Sequence, residues 1–390
     1  MNYVFISPHF PPNYKNFAVA LKAEGVNVLG IGSEIYDSLD TSLKNALTEY
    51  YNVDDIEDYD EMFKACAFLS FKYGKIDWLE SHNEYWLEQD ARLRTDFNIE
   101  GFKNHDMAKI KRKSKMKDVF KRAGIPVARG GVVNTLDEAL KLIKKVGYPV
   151  CAKPDSGVGA SNTYKIRSLE ELESFFQTKP PVDYIMEEFI EGEIHTFDGL
   201  VDAEGELVFV NSFVFGTGVM ETVNDGLDQF YYSQRQIPED LMEFGKAAIS
   251  AFRLRGRFFH IEFFRKKDGE LIALEVNARP PGGLSIDMFN YANDIDIFKR
   301  YAMMVTGKEL EELPEAKYYC GFVGIKDKPG SKQVHSNEDI ADRFSELLVF
   351  QGPIASVFSG ALGNYSYVLR SPDFEAVRSA AEYILERELF

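Results

Sequence analysis

The sequence predicts a multi-domain protein built from α/β and α+β units, and three observations carry that prediction. The first hundred residues alternate short apolar runs with an amphipathic stretch, the βαβ rhythm of a parallel sheet. The next ninety interleave four short apolar runs with two segments of helical period, as in a small mixed unit. From Glu193 onward strands become frequent and are joined by polar turns, which is the habit of antiparallel hairpins. A chain of 390 residues, 45% hydrophobic and 14% aromatic, is long and apolar enough to bury two to four compact cores. The expected divisions are residues 1–104, 105–190, 191–310 and 311–390.

The elements are justified in order. The run Tyr3 to Ile6 is a first strand, Tyr14 to Glu24 an amphipathic helix and Val26 to Ile31 a second strand. SPHFPPN follows the first strand where a dinucleotide-binding turn would carry GxGxxG, so a dehydrogenase is disfavoured. Asn104 to Arg122 is strongly basic and predicts one helix, stopped by Gly124 and Pro126. Strands follow at Val127–Val133, Pro149–Lys153, Thr163–Ile166 and Tyr184–Glu187, with helices at Leu136–Val146 and Leu169–Gln177. Thr135 and Ser168 each precede an acid by three residues, Glu138 and Glu171, which predicts two capping boxes. Ile194–Val201 and Leu207–Phe215 flank the turn AEGE, and Phe258–Arg265 and Leu271–Val276 flank KKDG. The last portion carries apolar runs at Tyr318–Ile325 and Tyr365–Leu369 and a helix from Asp373 to Leu385.

Charge and cysteine content exclude several classes. A net charge of −17, from 62 acidic and 45 basic residues, disfavours non-specific binding to nucleic acid or an anionic membrane. An anionic ligand must therefore meet a local basic site. Cys66, Cys151 and Cys320 are far apart, with no CxxC pair, so neither a disulfide scaffold nor a structural zinc is expected. The start MNYVFISPHFPP lacks a basic leader, and no apolar run approaches the ~20 residues of a membrane span, so the expected location is the cytoplasm.

The most informative stretch is HIEFF, residues 260–264, followed after KKDG by LEVNARPPGG, residues 274–283. Side chains alternate along a strand, so Glu275, Asn277 and Arg279 share a face and Glu262 can sit opposite them on the paired strand. Two carboxylates and an amide suit Mg²⁺, a hard cation that takes oxygen ligands. A single strand glutamate is ordinarily solvated. Here Glu262 and Glu275 lie within apolar runs, where an unpaired buried carboxylate is costly. Arg279, fixed before Pro280 and Pro281, can neutralise phosphate charge.

Together these residues resemble the ATP-grasp superfamily of carboxylate-amine and carboxylate-thiol ligases, over roughly Lys109 to Asp287. The resemblance implies an ATP-grasp fold preceded by a Rossmann-like domain. In that family, Glu followed at about a dozen residues by Glu-x-Asn-x-Arg supplies the magnesium ligands and the phosphate-stabilising arginine, here Glu262, Glu275, Asn277 and Arg279. KRKSKMKDVFKRAGIPVARG resembles the family's basic helix and picks out Lys113 as a phosphate ligand, with Lys115 the alternative register. YPVCAKPDSGVGASN resembles the strand and loop that cover the triphosphate. It implies contacts from Lys153 and from the backbone of Ser156, Gly157, Gly159, Ala160 and Ser161. YIMEEFIEGEIHTFDG resembles the adenine hinge, implying Glu187, Glu188, Phe189 and Ile190 at the base and Glu193 at the ribose. The segment 216–234 is expected to cover an acceptor substrate, and His195 to be a packed strand residue.

The implied activity is ATP-dependent activation of a carboxylate as an acyl phosphate and its coupling to an amine, with ATP and Mg²⁺, or Mn²⁺ in its place, as cofactors. Style of the metal site points to the amino-acid and dipeptide ligases of the family. The expected partners are small carboxylates and amines, with no nucleic acid or membrane, and a homodimer by family habit. The alternatives are another ATP-grasp chemistry, carboxylation or phosphoryl transfer, and a non-catalytic ATP-binding protein.

Overall fold

The computed structural model describes residues 1–157, 162–216, 226–313 and 315–389. Within them the first strands are β1 (Asn2–Ile6), β2 (Asn27–Gly32), β3 (Glu49–Asn52) and β4 (Trp78–Glu80), in a parallel sheet of order β3-β2-β1-β4. Every residue of β1 is buried, as a central parallel strand covered on both faces should be.

The second sheet contains β5 (Gly130–Val133), β6 (Val150–Pro154), β7 (Tyr164–Ile166) and β8 (Tyr184–Glu188), antiparallel and in the order β5-β8-β6-β7. Its apolar face packs against the helices Leu136–Val146 and Leu169–Thr178 through Ala139, Ile143, Leu172 and Phe175. At Thr135 both halves of the expected capping box form. At Ser168 only one does: the hydroxyl accepts from Glu171 N–H, but the Glu171 carboxylate accepts from Arg167 N–H at 2.7 Å.

The third sheet is the largest. It comprises β9 (Glu193–Val201), β10 (Leu207–Asn211), β11 (Phe213–Phe215), β12 (Gln229–Ser233), β13 (Arg257–Arg265), β14 (Leu271–Asn277) and β15 (Tyr319–Ile325). After β16 (Ser331–Gln333) it continues with β17 (Leu348–Pro353) and β18 (Tyr365–Ser371), while β19 (Arg387–Leu389) pairs with β16 in a separate ribbon. The order is β14-β13-β9-β11-β12-β15-β18-β17, with β10 paired to β9. Ser212 interrupts the single strand expected over Leu207–Phe215, its hydroxyl turned to Gln234 Oε1 at 2.9 Å.

The basic segment also departs from expectation. Asn104–Arg122 is not one helix: Asn104–Asp106 is a 3₁₀ turn, Met107–Lys111 a short helix and Lys113–Arg122 a second one. Arg112 stands between them in an extended conformation and bridges to Ser156. Its guanidinium pairs with Asp155 at 2.9 Å and with Asp183 at 2.7 Å. Asp155 also accepts from Ser114 N–H at 2.7 Å, so a residue from the end of β6 caps the second helix. That break aims the start of the second helix at the second sheet. Among the described residues no helix is long and apolar enough to cross a membrane.

Candidate active site

A cavity of about 590 Å³ lies where the three sheets meet, and most of the residues expected to act on a nucleotide line it. Lys113 reaches it from the first turn of its helix, with Nζ 3.5 Å from Glu275 Oε2 and 3.5 Å from the Gly157 carbonyl. Lys115, the alternative register, is exposed and not on the cavity lining. Four residues on, one helical turn away, Lys117 also lines the cavity. It is buried, donates to the Ala273 carbonyl at 3.0 Å and stands 3.2 Å from Glu187 Oε1. Sequence reasoning missed it, although its i+4 spacing from Lys113 was a usable signal.

Lys153 projects from β6 onto Glu187 of β8, its Nζ 2.9 Å from Oε2. Glu187 thus sits between two buried ammonium groups. Burial opposes its ionisation, yet Lys117 and Lys153 outweigh that and hold the carboxyl down at about 2. Burial likewise opposes charge on Lys153, but Glu187 wins and its pKa is raised. For Lys117 burial dominates and the ammonium falls to about 8.

The hairpin of β13 and β14 pairs Glu262 with Glu275 across the ladder, as the alternation requires. Asn277 Nδ2 donates to Glu275 Oε1 at 3.3 Å. His260, not foreseen, bridges Asp198 and Glu262: Nδ1 lies 2.5 Å from Asp198 Oδ1 and Nε2 2.9 Å from Glu262 Oε1. Burial works against the imidazolium, but the two carboxylates raise it to about 10. Each expected metal carboxylate therefore already faces a cation, Lys113 for Glu275 and His260 for Glu262. Among the described residues no group of three or more His, Cys, Asp or Glu stands at metal-ligating geometry. The donor set here is two carboxylates and an amide, which fits an oxygen-seeking cation that keeps several waters.

Arg279 lies against the cavity and pairs with Glu84, which accepts at 2.9 Å from Nη2 and 3.3 Å from Nε. Glu84 belongs to the loop after β4, which also brings His82 and Asn83 to the cavity. Nothing local in that loop marks it as part of the site.

At the hinge, Phe189, Ile190 and Glu191 line the cavity, and Lys165 caps the Phe189 ring at 3.6 Å. The N–H groups of Glu188 and Phe189 already donate to Arg129 O at 2.9 Å and Pro149 O at 3.2 Å. Those two N–H groups are thereby committed to the fold. The Glu188 carboxylate accepts from Arg129 N–H at 2.8 Å.

Glu193, expected at the ribose, is not on the cavity lining. Ile194 lines the cavity, so Glu193 and His195, one residue either side on β9, face away from it. The Glu193 side chain is 69% exposed and 3.7 Å from His195. Glu193→Gln should leave the KM for ATP within about two-fold, as for other surface changes, and initial-rate kinetics check it. Ser156 and Gly157 are exposed at the end of β6, with Gly157 contributing its carbonyl to Lys113. Gly159, Ala160 and Ser161 lie outside the described residues, as do 217–225 of the expected cover segment.

A family model described as the ATP-grasp domain matches residues 146–287, from the approach to β6 through Arg279. The chain carries an ATP-grasp domain. An L-arginine-specific L-amino acid ligase of Bacillus subtilis is 30% identical over 242 residues, 60% of this chain and 58% of the ligase. The carbamoyl phosphate synthase large chain of Clostridium acetobutylicum is 23% identical over 54% of this chain and 20% of that protein. The chain thus spans 58% and 20% of the lengths of these two curated relatives. Fold likeness extends beyond the matched domain: an L-amino acid ligase from Bacillus licheniformis superposes with a TM-score of 0.76 at 17% identity. That superposition covers 100% of this chain and 98% of the ligase.

Proposed function

We propose that this ATP-grasp protein is an ADP-forming ligase that activates a carboxylate with Mg-ATP and couples it to an amine. The observation that carries the proposal is the convergence of Lys113, Lys153, Glu262, Glu275 and Arg279 on one cavity. Adenine binding alone does not require paired metal carboxylates and phosphate cations. The match to the Bacillus subtilis ligase supports an amino acid as one substrate. The proposal also includes the four-unit division of the chain, a cytoplasmic location consistent with Cys66, Cys151 and Cys320 standing outside any disulfide, and a homodimer, which light scattering would test.

The cavity volume falls within the range of nucleotide-sized sites. Phe189, Ile190 and Ile272 offer an apolar slot for the base, and Lys113 and Lys153 point into the same space. Mg²⁺ held by Glu262, Glu275 and Asn277 would neutralise phosphate charge and orient the transferred group. With a cation on Glu275, Lys113 would be free to bind phosphate. Lys153 can turn from Glu187 to phosphate oxygens because Lys117 stays behind to balance the buried carboxylate. Arg279, held by Glu84, would neutralise phosphate charge as the group is transferred. Water has to be kept from the activated acid, which it would otherwise hydrolyse.

The test is Mg²⁺-dependent ADP and phosphate release across a matrix of amino acids and other carboxylates with amine acceptors, using Glu275→Gln as the blank. Release with one acid–amine pair, lost in the variant, supports the ligase. Release with bicarbonate alone, or a stable phosphorylated product, would replace it with a different ATP-grasp chemistry. Lys113→Met should raise the KM for ATP roughly ten-fold or more, whereas Lys115→Met should not, as expected for loss of one charge-assisted phosphate contact.

A further inference from the structure

Several charged groups of the cavity lie together, while Arg279, two residues before Pro281, is paired with Glu84 on the same lining. Lys113, Lys153, Glu187, Glu262 and Glu275 cluster where the second sheet faces the β13–β14 hairpin. The wall beside Pro281–Ser285 is different in kind. It is formed by Phe213 and Phe215 of β11, Tyr231 of β12, and Phe358 and Leu362 of a turn near the C-terminus.

These side chains form one continuous apolar surface. Phe215 stacks on Tyr231 with centroids 4.7 Å apart, and Tyr231 stacks on Phe322 at 4.8 Å. Phe213 meets Tyr231 edge-on at 5.4 Å. The Tyr231 hydroxyl shares a hydrogen bond with Ser285 Oγ at 2.8 Å, so the polar tip of the ring is already satisfied. Leu362 packs so closely over Gly283 that a Cβ there would lie 2.5 Å from Leu362 Cδ1. Phe358 stacks on Phe10 at 5.6 Å, which ties the C-terminal turn to the loop after β1.

Among the described residues this wall presents no carboxylate and no ammonium to the cavity. The nearby acid, Asp287, is not on the lining and accepts a hydrogen bond from Asn13 at 2.6 Å. Glu84 is engaged with Arg279. A guanidinium or ammonium side chain entering here would lose its water without gaining a counter-charge, whereas an apolar side chain would gain contact with the half-buried Phe215, Phe358 and Leu362, which Phe213 and Tyr231 back from the core.

We infer that this wall is a specificity slot for the side chain of an amino-acid substrate that is apolar and large, such as leucine, methionine or phenylalanine. The inference rests on the ligase proposed for the same cavity. Phe215 is its specificity-determining residue, because it is half-buried at the end of β11 while Tyr231 and Phe213 are locked in the core. A single methylene in an apolar pocket is worth roughly 10–200-fold in discrimination. Leucine, methionine and phenylalanine should therefore exceed arginine, lysine, aspartate and glycine by at least about ten-fold in kcat/KM.

The experiment has two arms on the full chain. Binding of these seven amino acids is measured by calorimetry with Mg²⁺ and a non-hydrolysable ATP analogue, and ADP release is measured with each paired to a panel of amines. Phe215→Glu is run in both, and should turn the preference toward arginine and lysine, an exchange that mere loss of structure does not produce. Should that variant fail to fold, the wild-type series still decides. Binding and turnover of the apolar set support the slot. Turnover of arginine, aspartate or glycine at rates equal to the apolar set overturns the slot and leaves the ligase standing. Binding of the apolar set without ADP release for any amine supports the slot and overturns the ligase. No binding of the apolar set, with or without turnover of others, overturns the slot.

Discussion

Replacing Glu187 by alanine is expected to destabilise the protein by about 3–5 kcal/mol, the scale seen when one partner of a buried ion pair is removed. Glu187 is 3% exposed and lies within 3.2 Å of Lys117 and 2.9 Å of Lys153, both buried. Its loss leaves two ammonium groups facing each other without a counter-charge. Lys117, whose pKa is already depressed to about 8, would then lose its proton more readily, which softens the effect. Urea unfolding of wild type and Glu187→Ala checks the size, and an equal midpoint would show that the pair contributes nothing net. The pH dependence has a defined sign. The Glu187 pKa falls from 4.5 in the unfolded chain to about 2 in the fold. Its stabilising contribution is therefore fully present above pH 4.5 and is lost as the pH falls toward 2, so wild type and Glu187→Gln should converge in acid.

Arg279→Met should lower kcat by about 10²–10³-fold while changing the KM for ATP little, as when a group acting mainly on developing charge is removed. Arg279 stands by the Glu84 loop and Pro280, away from the Phe189–Ile190 hinge, so the base does not depend on it. Lysine at this position should restore charge but not the paired contact to Glu84, and recover only part of the rate. Steady-state kinetics with saturating acid and amine measure both. A rise in the KM for ATP at constant kcat would instead make Arg279 a ground-state nucleotide ligand.

Much of the fold and one half of the site could be read locally. The strands of the hairpin 257–277 follow from alternation and a four-residue turn, and that short-range geometry already sets Glu262 opposite Glu275 with Asn277 beside them. Lys153 was legible for the same reason, whereas Lys113 was read only together with its alternative Lys115, because the helix break at Arg112 depends on the distant Asp155 and Asp183. Strand phase was not legible at Glu193: period-two geometry states that 193 and 194 face opposite ways, but not which of them meets the cavity.

What the sequence by itself determined, then, were the elements whose partners are a few residues away: hairpins, capped helices and the residues they carry in fixed alternation. Tertiary structure alone decided the rest. Arg112 breaks its helix for Asp155 and Asp183, Lys117 finds Glu187, Glu84 reaches Arg279 across 195 residues, and Leu362 closes over Gly283. Each of these contacts joins side chains far apart in the chain. Their energies depend on burial and on the counter-charges met there, and neither exists until the sheets have packed.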